Sequence, residues 1–187
     1  MKIYSTRHGE TLWNIENRIV GTTDLPLTER GMNQADELAQ KVKEIGDIQV
    51  IVSSPMLRAK LTAKPSSEVL GIPVQIDERL REWDYGEFEG LDRYADGFYE
   101  NKREFAVKMG KSGESLIQLA HRVYSALDDI IAEYRDKNVL IVSHGGVCRV
   151  IETYFNNMTT DEFSGWFMGN FGFRSHRMPA GSKNYVK

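Results

Sequence analysis

Three short apolar runs, rich in β-branched residues, constrain the fold more than any other feature of this 187-residue chain. Runs this short are typical of strands buried on both faces, as in a parallel sheet. They occupy residues 2–6, 50–52 and 139–142, and a fourth candidate strand lies at 73–76. A chain with these strands must bury them between other layers.

Helical patterns fill the intervals between the runs. Apolar residues recur every three or four positions over 28–45 and 115–134, with Thr28 as the expected N-cap of the first helix and Gly46 as its expected stop. Residues 146–156 indicate a further helix. Alternating strands and helices predict an α/β fold of three layers, with a mainly parallel central sheet flanked by helices.

The chain carries no repeat, low-complexity tract or linker, so we expect one domain over residues 1–187. Residues 92–113 have weak periodicity and several charges, which indicates an insertion or lid over a site. The end of the chain, from about residue 171, shows no pattern beyond a possible strand.

Charge and composition narrow the possible partners and the compartment. The formal net charge of −3 gives no general attraction for nucleic acid or anionic lipid, so we expect neither as a partner. No apolar run approaches the ~18 residues of a membrane span, and the first residues become polar too early for a signal peptide. A single cysteine is typical of a reducing compartment, so we expect a cytoplasmic protein.

Each of the three main runs leads directly into a polar cluster. In open α/β sheets the ligand crevice lies outside the carboxyl ends of the strands, so we expect the three clusters to meet in one pocket. The clusters are Arg7-His8-Gly9-Glu10-Thr11, Ser53-Ser54-Pro55 with Arg58, and Ser143-His144-Gly145-Gly146. The pocket would therefore hold two histidines and two arginines.

These residue types suit a phosphate group. Guanidinium forks match phosphate oxygens, and the helix N-termini after Ser54 and Gly145 add backbone donors. A neutral histidine can attack phosphorus, and a second histidine, if protonated, can stabilise the charge that develops. A leaving oxygen also needs a proton donor, for which Glu82 is our candidate and Asp84 and Glu87 are the alternatives.

Taken in order, these motifs resemble the histidine phosphatase superfamily, the phosphoglycerate-mutase-like proteins. The resemblance covers residues 1 to about 172 and rests on six blocks. They are Arg7-His8-Gly9-Glu10-Thr11 with Trp13-Asn14, Asp24-Leu25-Pro26-Leu27-Thr28-Glu29-Arg30-Gly31, Ser53-Ser54-Pro55 with Arg58-Ala59 and Thr62-Ala63, Leu80-Arg81-Glu82 with Gly86 and Glu89-Gly90, Gly113-Glu114-Ser115-Leu116, and Ser143-His144-Gly145-Gly146.

The resemblance implies a role for each matching residue. His8 is the implied nucleophile that becomes phosphohistidine, and Glu82 is the implied general acid that later activates water. Phosphate would be bound by Arg7, Arg58 and His144, with further contacts from Asn14 and the backbone of Gly21. Neither a metal nor another cofactor is implied.

Three residues depart from the family pattern. Val20 stands where the family often has glutamine, so one polar contact near the pocket is expected to be missing, and Leu61 also replaces a frequent glutamine. Pro65 follows inside an expected helix, where proline costs about 3 kcal/mol or more, so we expect a kink or break near Lys64.

Other chemistry-bearing residues are interpreted as structural. Cys148 lacks the arginine six positions later that a cysteine-phosphatase loop requires, since residue 154 is tyrosine. Gly110-Lys111-Ser112 lacks the first glycine of a P-loop. We expect His121 to be partly exposed and His176 to have no catalytic role.

The leading hypothesis is a metal-independent phosphomonoester hydrolase that acts on a small phosphorylated metabolite. A cofactor-dependent phosphoglycerate mutase is the first alternative, and it would need a second anionic subsite and a long cover. A non-catalytic phosphate-binding scaffold is the second. Candidates for substrate recognition lie in the expected lid: Tyr94, Phe98, Tyr99, Lys102, Arg103 and Phe105.

Overall fold

A computed structural model describes residues 1–177, and within them five strands form one sheet in the order β3-β2-β4-β1-β5. The first four strands are mutually parallel, and β5 pairs antiparallel with β1. The strands are β1 (Lys2–Arg7), β2 (Val50–Ser53), β3 (Val74–Ile76), β4 (Val139–Ser143) and β5 (Phe173–Arg177). The predicted mainly parallel sheet is confirmed, including the possible strand near the end of the chain.

Helices cover both faces of this sheet. They are α1 (Leu12–Ile15), α2 (Glu29–Ile45), α3 (Leu57–Leu70), α4 (Phe98–Asn101), α5 (Leu116–Glu133), α6 (Gly145–Phe155) and α7 (Thr160–Gly165). Side chains of α5 and α6 pack against β1, β2 and β4 in one buried apolar cluster. Side chains of α2 and α3 pack against the same strands in a second cluster, so the predicted three-layer arrangement is confirmed.

The helix ends follow the capping pattern of the sequence. Thr28 accepts a hydrogen bond from the Gly31 amide at the start of α2, and Gly46 ends that helix in the left-handed region at φ 68°. Ser115 and Gln118 form a capping box at the start of α5. These local signals place α2 and α5 within one residue of their predicted bounds.

Of the kink or break expected near Lys64, the break is wrong. Helix α3 runs without interruption from Leu57 to Leu70 with Pro65 inside it. Pro65 cannot donate to the carbonyl of Leu61, but both residues are only half-buried, so water can reach that carbonyl. Ala59 and Ala63 bury the opposite side of the helix against α2 and the sheet, and this packing outweighs the lost hydrogen bond.

Residues 92–113 form a largely irregular segment in which α4 is the regular helix. Isolated bridges from Asp92 to Arg18 and from Lys108 to Ser115 anchor its ends, and Phe98 and Met109 are buried. Residues 178–187, which the one-domain prediction includes, lie outside the described part of the chain. In residues 1–177 no helix is both long enough and apolar enough to cross a membrane.

Candidate active site

Two central strands bring His8 and His144 together. Strands β1 and β4 pair Arg7 with Ser143, so the next residue of each strand leaves the sheet at the same edge. The His8 amide donates to the Ser143 carbonyl at 2.9 Å. The two imidazole rings have their centroids 5.2 Å apart and are tilted by 59°.

One ring nitrogen of His8, Nε2, has no hydrogen-bond partner within residues 1–177. Its Nδ1 lies 2.7 Å from the carbonyl oxygen of Gly9, and because a carbonyl only accepts, the proton must be on Nδ1. Burial, and then the charges of Arg58 and Arg7, hold the pKa of His8 well below its usual value. His8 is therefore a neutral imidazole whose Nε2 carries a lone pair.

His144 is fully buried, and its Nε2 lies 2.7 Å from the Ser54 hydroxyl. Burial, and then the charges of Arg58 and the neighbouring His8, lower its pKa well below the usual value. His144 is thus neutral in the free protein, and a bound phosphate dianion would favour its protonated form. The sequence analysis considered a protonated second histidine. His144 would take that form only when a phosphate is bound.

Both predicted arginines are buried, and backbone carbonyls hold them. Arg7 donates through Nη1 to the Met168 carbonyl at 2.9 Å. Arg58 donates to the carbonyls of Thr23 and Gly21, each at 2.8 Å. Asp24 lies 4.0 Å from Arg58, at the limit of an ion pair. These contacts orient each guanidinium through backbone carbonyls, and no carboxylate of residues 1–177 lies closer than 4.0 Å to either group.

Buried polar atoms without a hydrogen-bond partner are concentrated around these histidines and arginines. Seven buried side-chain nitrogen or oxygen atoms lack a hydrogen-bond partner in the described residues, and four of them belong to residues predicted to bind phosphate. The four are Arg7 Nε, Asn14 Nδ2, Arg58 Nε and His144 Nδ1. Buried donors without partners are costly, so such a concentration is typical of a ligand site.

A cavity of about 460 Å³ opens beside His8. Of the predicted site residues, its lining includes Arg7, His8, Glu82 and Gly145, whereas Asn14, Gly21, Arg58 and His144 are outside that lining. Val20, where the family often has glutamine, forms part of the wall.

Glu82 is the candidate acid that reaches this cavity. Its Oε1 accepts from the amide of Trp83 at 2.8 Å, and the Gly146 amide lies 3.1 and 3.2 Å from its two oxygens. The alternative acids point elsewhere: Asp84 accepts from the Gly86 amide, and Glu87 pairs with exposed Lys111. Neither alternative lines the cavity.

A buried ion pair supports the turn that carries Glu82. Arg122 on α5 pairs with Glu114 at 2.7 Å. The same guanidinium donates to the carbonyls of Arg79, Arg81 and Glu82 at 2.6, 2.7 and 3.0 Å. Glu114, which belongs to one of the family-like blocks, thus positions the acid through Arg122.

Gly21 occupies a crowded place near the predicted phosphate site. Its amide donates to both carboxylate oxygens of Glu89, at 2.9 and 3.0 Å, while its carbonyl holds Arg58. A Cβ at this position would lie 2.5 Å from Glu89. Gly21 therefore orients Arg58, and its direct contact with phosphate stays a prediction.

The segment 92–113 contributes part of the cavity wall. Four of its six recognition candidates line the cavity: Tyr94, Phe98, Tyr99 and Lys102. The other two do not, because Arg103 pairs with Asp161 at 2.6 Å and Phe105 is exposed to solvent.

Sequence reasoning missed three residues of the site. Arg93 and Arg149 line the cavity, and the Asn170 amide donates to the carbonyls of His8 and Gly9. Arg149 follows Gly145 by four residues on α6, so helical periodicity could have placed both on one face. Arg93 and Asn170 carry no such local signal.

Cys148 and His176, which the sequence analysis interprets as structural, are both buried. Cys148 is 1% exposed, and burial raises the pKa of its thiol. His176 lies 3.0 Å from the Ser5 hydroxyl and stacks on Phe155. Within residues 1–177 the structure groups no three His, Cys, Asp or Glu side chains as a metal site would require.

The chain is similar to known proteins in both sequence and structure. The family model of the histidine phosphatase superfamily (branch 1) matches residues 3–186. An uncharacterized phosphatase of Bacillus subtilis is 36% identical over 153 residues, which are 79% of this chain and 73% of the relative. A probable phosphoglycerate mutase of Escherichia fergusonii is 37% identical over 153 residues, with 78% and 70% coverage.

Solved structures of two phosphatases have a similar fold. A mycobacterial glucosyl-3-phosphoglycerate phosphatase complexed with VO3 superposes with a TM-score of 0.83 at 28% identity, over 93% of this chain and 90% of that one. A mutant phosphoserine phosphatase from Entamoeba histolytica, in complex with phosphoserine, superposes with a TM-score of 0.82 at 28% identity, over 93% and 89%.

Proposed function

The chain belongs to the histidine phosphatase superfamily, and from this premise we propose that it is a metal-independent phosphomonoester hydrolase working through phosphohistidine. One observation carries the proposal. His8 is neutral, presents a free Nε2, and lies at the wall of a cavity beside two buried guanidinium groups. A neutral nucleophile with an available lone pair, next to two buried guanidinium groups, suits attack on a phosphate dianion.

Binding comes first in the proposed sequence. The phosphate oxygens of the substrate take the unsatisfied donors of Arg7, Arg58 and Asn14. The N-terminus of α6 at Gly145 adds the positive end of a helix dipole. His144 acquires a proton as the dianion approaches and donates a hydrogen bond to it.

Two chemical steps follow. Nε2 of His8 attacks phosphorus, the bond from phosphorus to the ester oxygen breaks, and Glu82 delivers its proton to the departing alcohol. Water then attacks the phosphorus of phosphohistidine, the bond from Nε2 of His8 to phosphorus breaks, and Glu82 takes a proton from that water. Inorganic phosphate leaves, His144 returns to solvent the proton that it took up on binding, and His8 and Glu82 recover their starting protonation states.

The substrate in this proposal is a small phosphorylated metabolite. A cavity of about 460 Å³ suits a molecule of that size, and the related structures carry phosphoserine or are named for a phosphorylated sugar acid.

Residues 92–113 act as the lid of a single domain over 1–187. The single cysteine suits work in a reducing cytoplasm.

Removal of the nucleophile tests the proposal. His8→Ala should lower phosphate release from p-nitrophenyl phosphate by on the order of 10³-fold or more. His121→Ala, at an exposed position of α5, is the matched control and should keep normal activity. Acid-labile phosphate on wild-type protein, absent from His8→Ala, would identify the intermediate. Near-normal activity in His8→Ala would overturn the mechanism.

A phosphoglycerate mutase remains the second candidate because three cations, Arg93, Lys102 and Arg149, line the cavity beyond the phosphate-binding residues. A mutase must hold a second acidic group while the substrate reorients. Incubation with 3-phosphoglycerate and the bisphosphate primer separates the two functions. Hydrolysis predicts free phosphate, and a mutase predicts the 2-isomer.

A further inference from the structure

We propose that Glu89 is a positioning residue for phosphate binding: it fixes the bend at residues 21–23, and through that bend it orients the guanidinium of Arg58. The inference rests on the proposed function, in which Arg58 binds the phosphate. Glu89 is half-buried and lies outside the lining of the cavity beside His8. Its effect on the substrate therefore passes through Arg58.

Backbone amides bind the carboxylate of Glu89. Its Oε1 accepts from the amides of Gly21 and Thr23 at 2.9 and 3.0 Å. Its Oε2 lies 3.0 Å from the Gly21 amide and 3.3 Å from the Thr22 amide. No ion pair within residues 1–177 includes Glu89, and hydrogen bonds from N–H groups to a carboxylate are stronger than those between neutral groups. Three consecutive amides of the bend are thus held by one side chain.

The carbonyl groups of the same bend hold Arg58. Its Nη2 donates to the Gly21 carbonyl and its Nη1 to the Thr23 carbonyl, each at 2.8 Å. The Gly21 carbonyl and the Thr22 amide belong to one peptide unit, and in a trans peptide the C=O and N–H bonds point in opposite directions. Glu89 and Arg58 therefore lie at the two ends of this unit, and a displacement of the carboxylate moves the carbonyl that holds the guanidinium.

The dipole of that peptide unit links the two charges. A peptide dipole has its positive end at the N–H and its negative end at the C=O, so a carboxylate is favourable at the first and a guanidinium at the second. Burial lowers the pKa of Arg58, and Glu89 is among the carboxylates whose negative charge raises it. The charge of Glu89 thus favours both the observed orientation of the bend and the charged form of Arg58.

The bend is the main constraint on the guanidinium. Arg58 is 0% exposed, and within the described residues its side-chain hydrogen bonds are those to the two bend carbonyls. Its Nε has no partner there and is one of the donors that the proposed function assigns to phosphate. Asp24, 4.0 Å away, adds a long ion pair. The bend therefore determines where the free donor of Arg58 points.

The main chain around Glu89 is itself fixed. The Glu89 amide donates to the Gly86 carbonyl at 3.0 Å, and the Gly90 amide donates to the Ile19 carbonyl at 2.9 Å. The Arg18 side chain donates to the Gly90 carbonyl at 2.6 Å. The residues before the bend are thus tied to those beside Glu89, so the carboxylate reaches the bend from an anchored position.

A double-mutant cycle with Arg58 tests the inference. Glu89→Gln puts an NH2 group where one oxygen accepted from backbone amides, so donors face donors and the bend must shift. We expect kcat/KM for p-nitrophenyl phosphate to fall tenfold or more in the wild-type background and less than twofold in the Arg58→Ala background. A residue that only stabilises the fold would cause the same loss in both backgrounds.

Binding of inorganic phosphate, measured by calorimetry, gives a readout without turnover. Glu89→Gln should weaken this binding at least fivefold. Glu104→Gln is the matched control and should keep the wild-type affinity and activity, because this glutamate is exposed and lies outside the cavity lining. If Glu89→Gln does not fold, Glu89→Asp, which keeps the charge but withdraws it by one methylene group, goes through the same cycle and decides.

Two results would overturn the inference: an equal loss of kcat/KM in both backgrounds, or unchanged kcat/KM and phosphate affinity in folded Glu89→Gln. Failure of the proposed function looks different. The wild-type protein would then release no phosphate from any ester tested, while Glu89→Gln would still bind inorganic phosphate more weakly than Glu104→Gln.

Discussion

The imidazole rings of His8 and His144 lie 5.2 Å apart because the residues before them, Arg7 and Ser143, are register partners in adjacent parallel strands. The main chain of the two central strands therefore sets the position of both rings. Substitution of either side chain should leave the sheet intact, and loss of activity can then be attributed to chemistry.

Glu82→Gln should separate substrates by their leaving group. A general acid contributes about 10²–10⁴-fold when the departing oxygen needs a proton, and little when the oxygen leaves as a stable anion. We therefore expect kcat/KM for an alkyl phosphate to fall by about 10²-fold or more, and that for p-nitrophenyl phosphate by less than tenfold. Because kcat/KM ends at phosphorylation of His8, it is not affected by the later role of Glu82 as a base. Equal losses on both substrates would exclude Glu82 as the acid.

Gly146→Ala should displace Glu82 without removing it. A Cβ at Gly146 would lie 2.6 Å from Glu82 Oε1, whereas a Cβ at Gly145 meets Arg7 at an ordinary 3.6 Å. Gly146→Ala should therefore lower kcat/KM for alkyl phosphates by tenfold or more, and Gly145→Ala should cause a clearly smaller loss. A larger loss in Gly145→Ala would show that crowding at Glu82 is not what makes glycine necessary here.

The parts of the fold that could be predicted are those with local signals. Short buried runs followed by polar clusters predict parallel strands, so the sequence could predict that His8, His144 and Arg58 come together at the strand ends. Helix α2 was found because Thr28 and Gly46 mark its ends.

Features that depend on packing between distant elements could not be predicted. Asn170 reaches His8 across more than 160 residues, and Arg93 enters the cavity from an irregular segment without periodicity. Propensity at Pro65 predicted a kink or break, but α3 continues through this residue, with one face buried against α2 and the sheet. In each case a long-range contact, which no local pattern encodes, determines the result.

The free energy of unfolding should fall as the pH drops below about 6.5. Burial is the main cause that lowers the pKa of His8 and His144 well below its usual value, and it also lowers the pKa of His176, so each takes up its proton at a lower pH in the folded protein than in the unfolded chain. Each contributes up to about 1.4 kcal/mol of lost stability per pH unit while its folded form stays neutral. Urea unfolding between pH 7.5 and 5.5 measures this slope, and His176→Gln should make it shallower. A flat profile would contradict the neutral assignment.

Binding of an acidic ligand should draw a proton from solution through Lys102. The pKa of Lys102 in the free protein is lowered to about 7, first by burial and then by Arg149 and Arg93, so at pH 8 the side chain is mostly neutral. An acidic group bound between these cations raises that pKa, and the side chain then takes up a proton. Titration of 3-phosphoglycerate into His8→Ala at pH 8, in two buffers of different ionisation enthalpy, should give an uptake that exceeds that of Lys102→Met in the same background by nearly one proton, because only His144 takes up a proton in the latter. This excess should disappear at pH 6, where Lys102 is already charged. Equal uptake with and without Lys102 would assign the proton to another group.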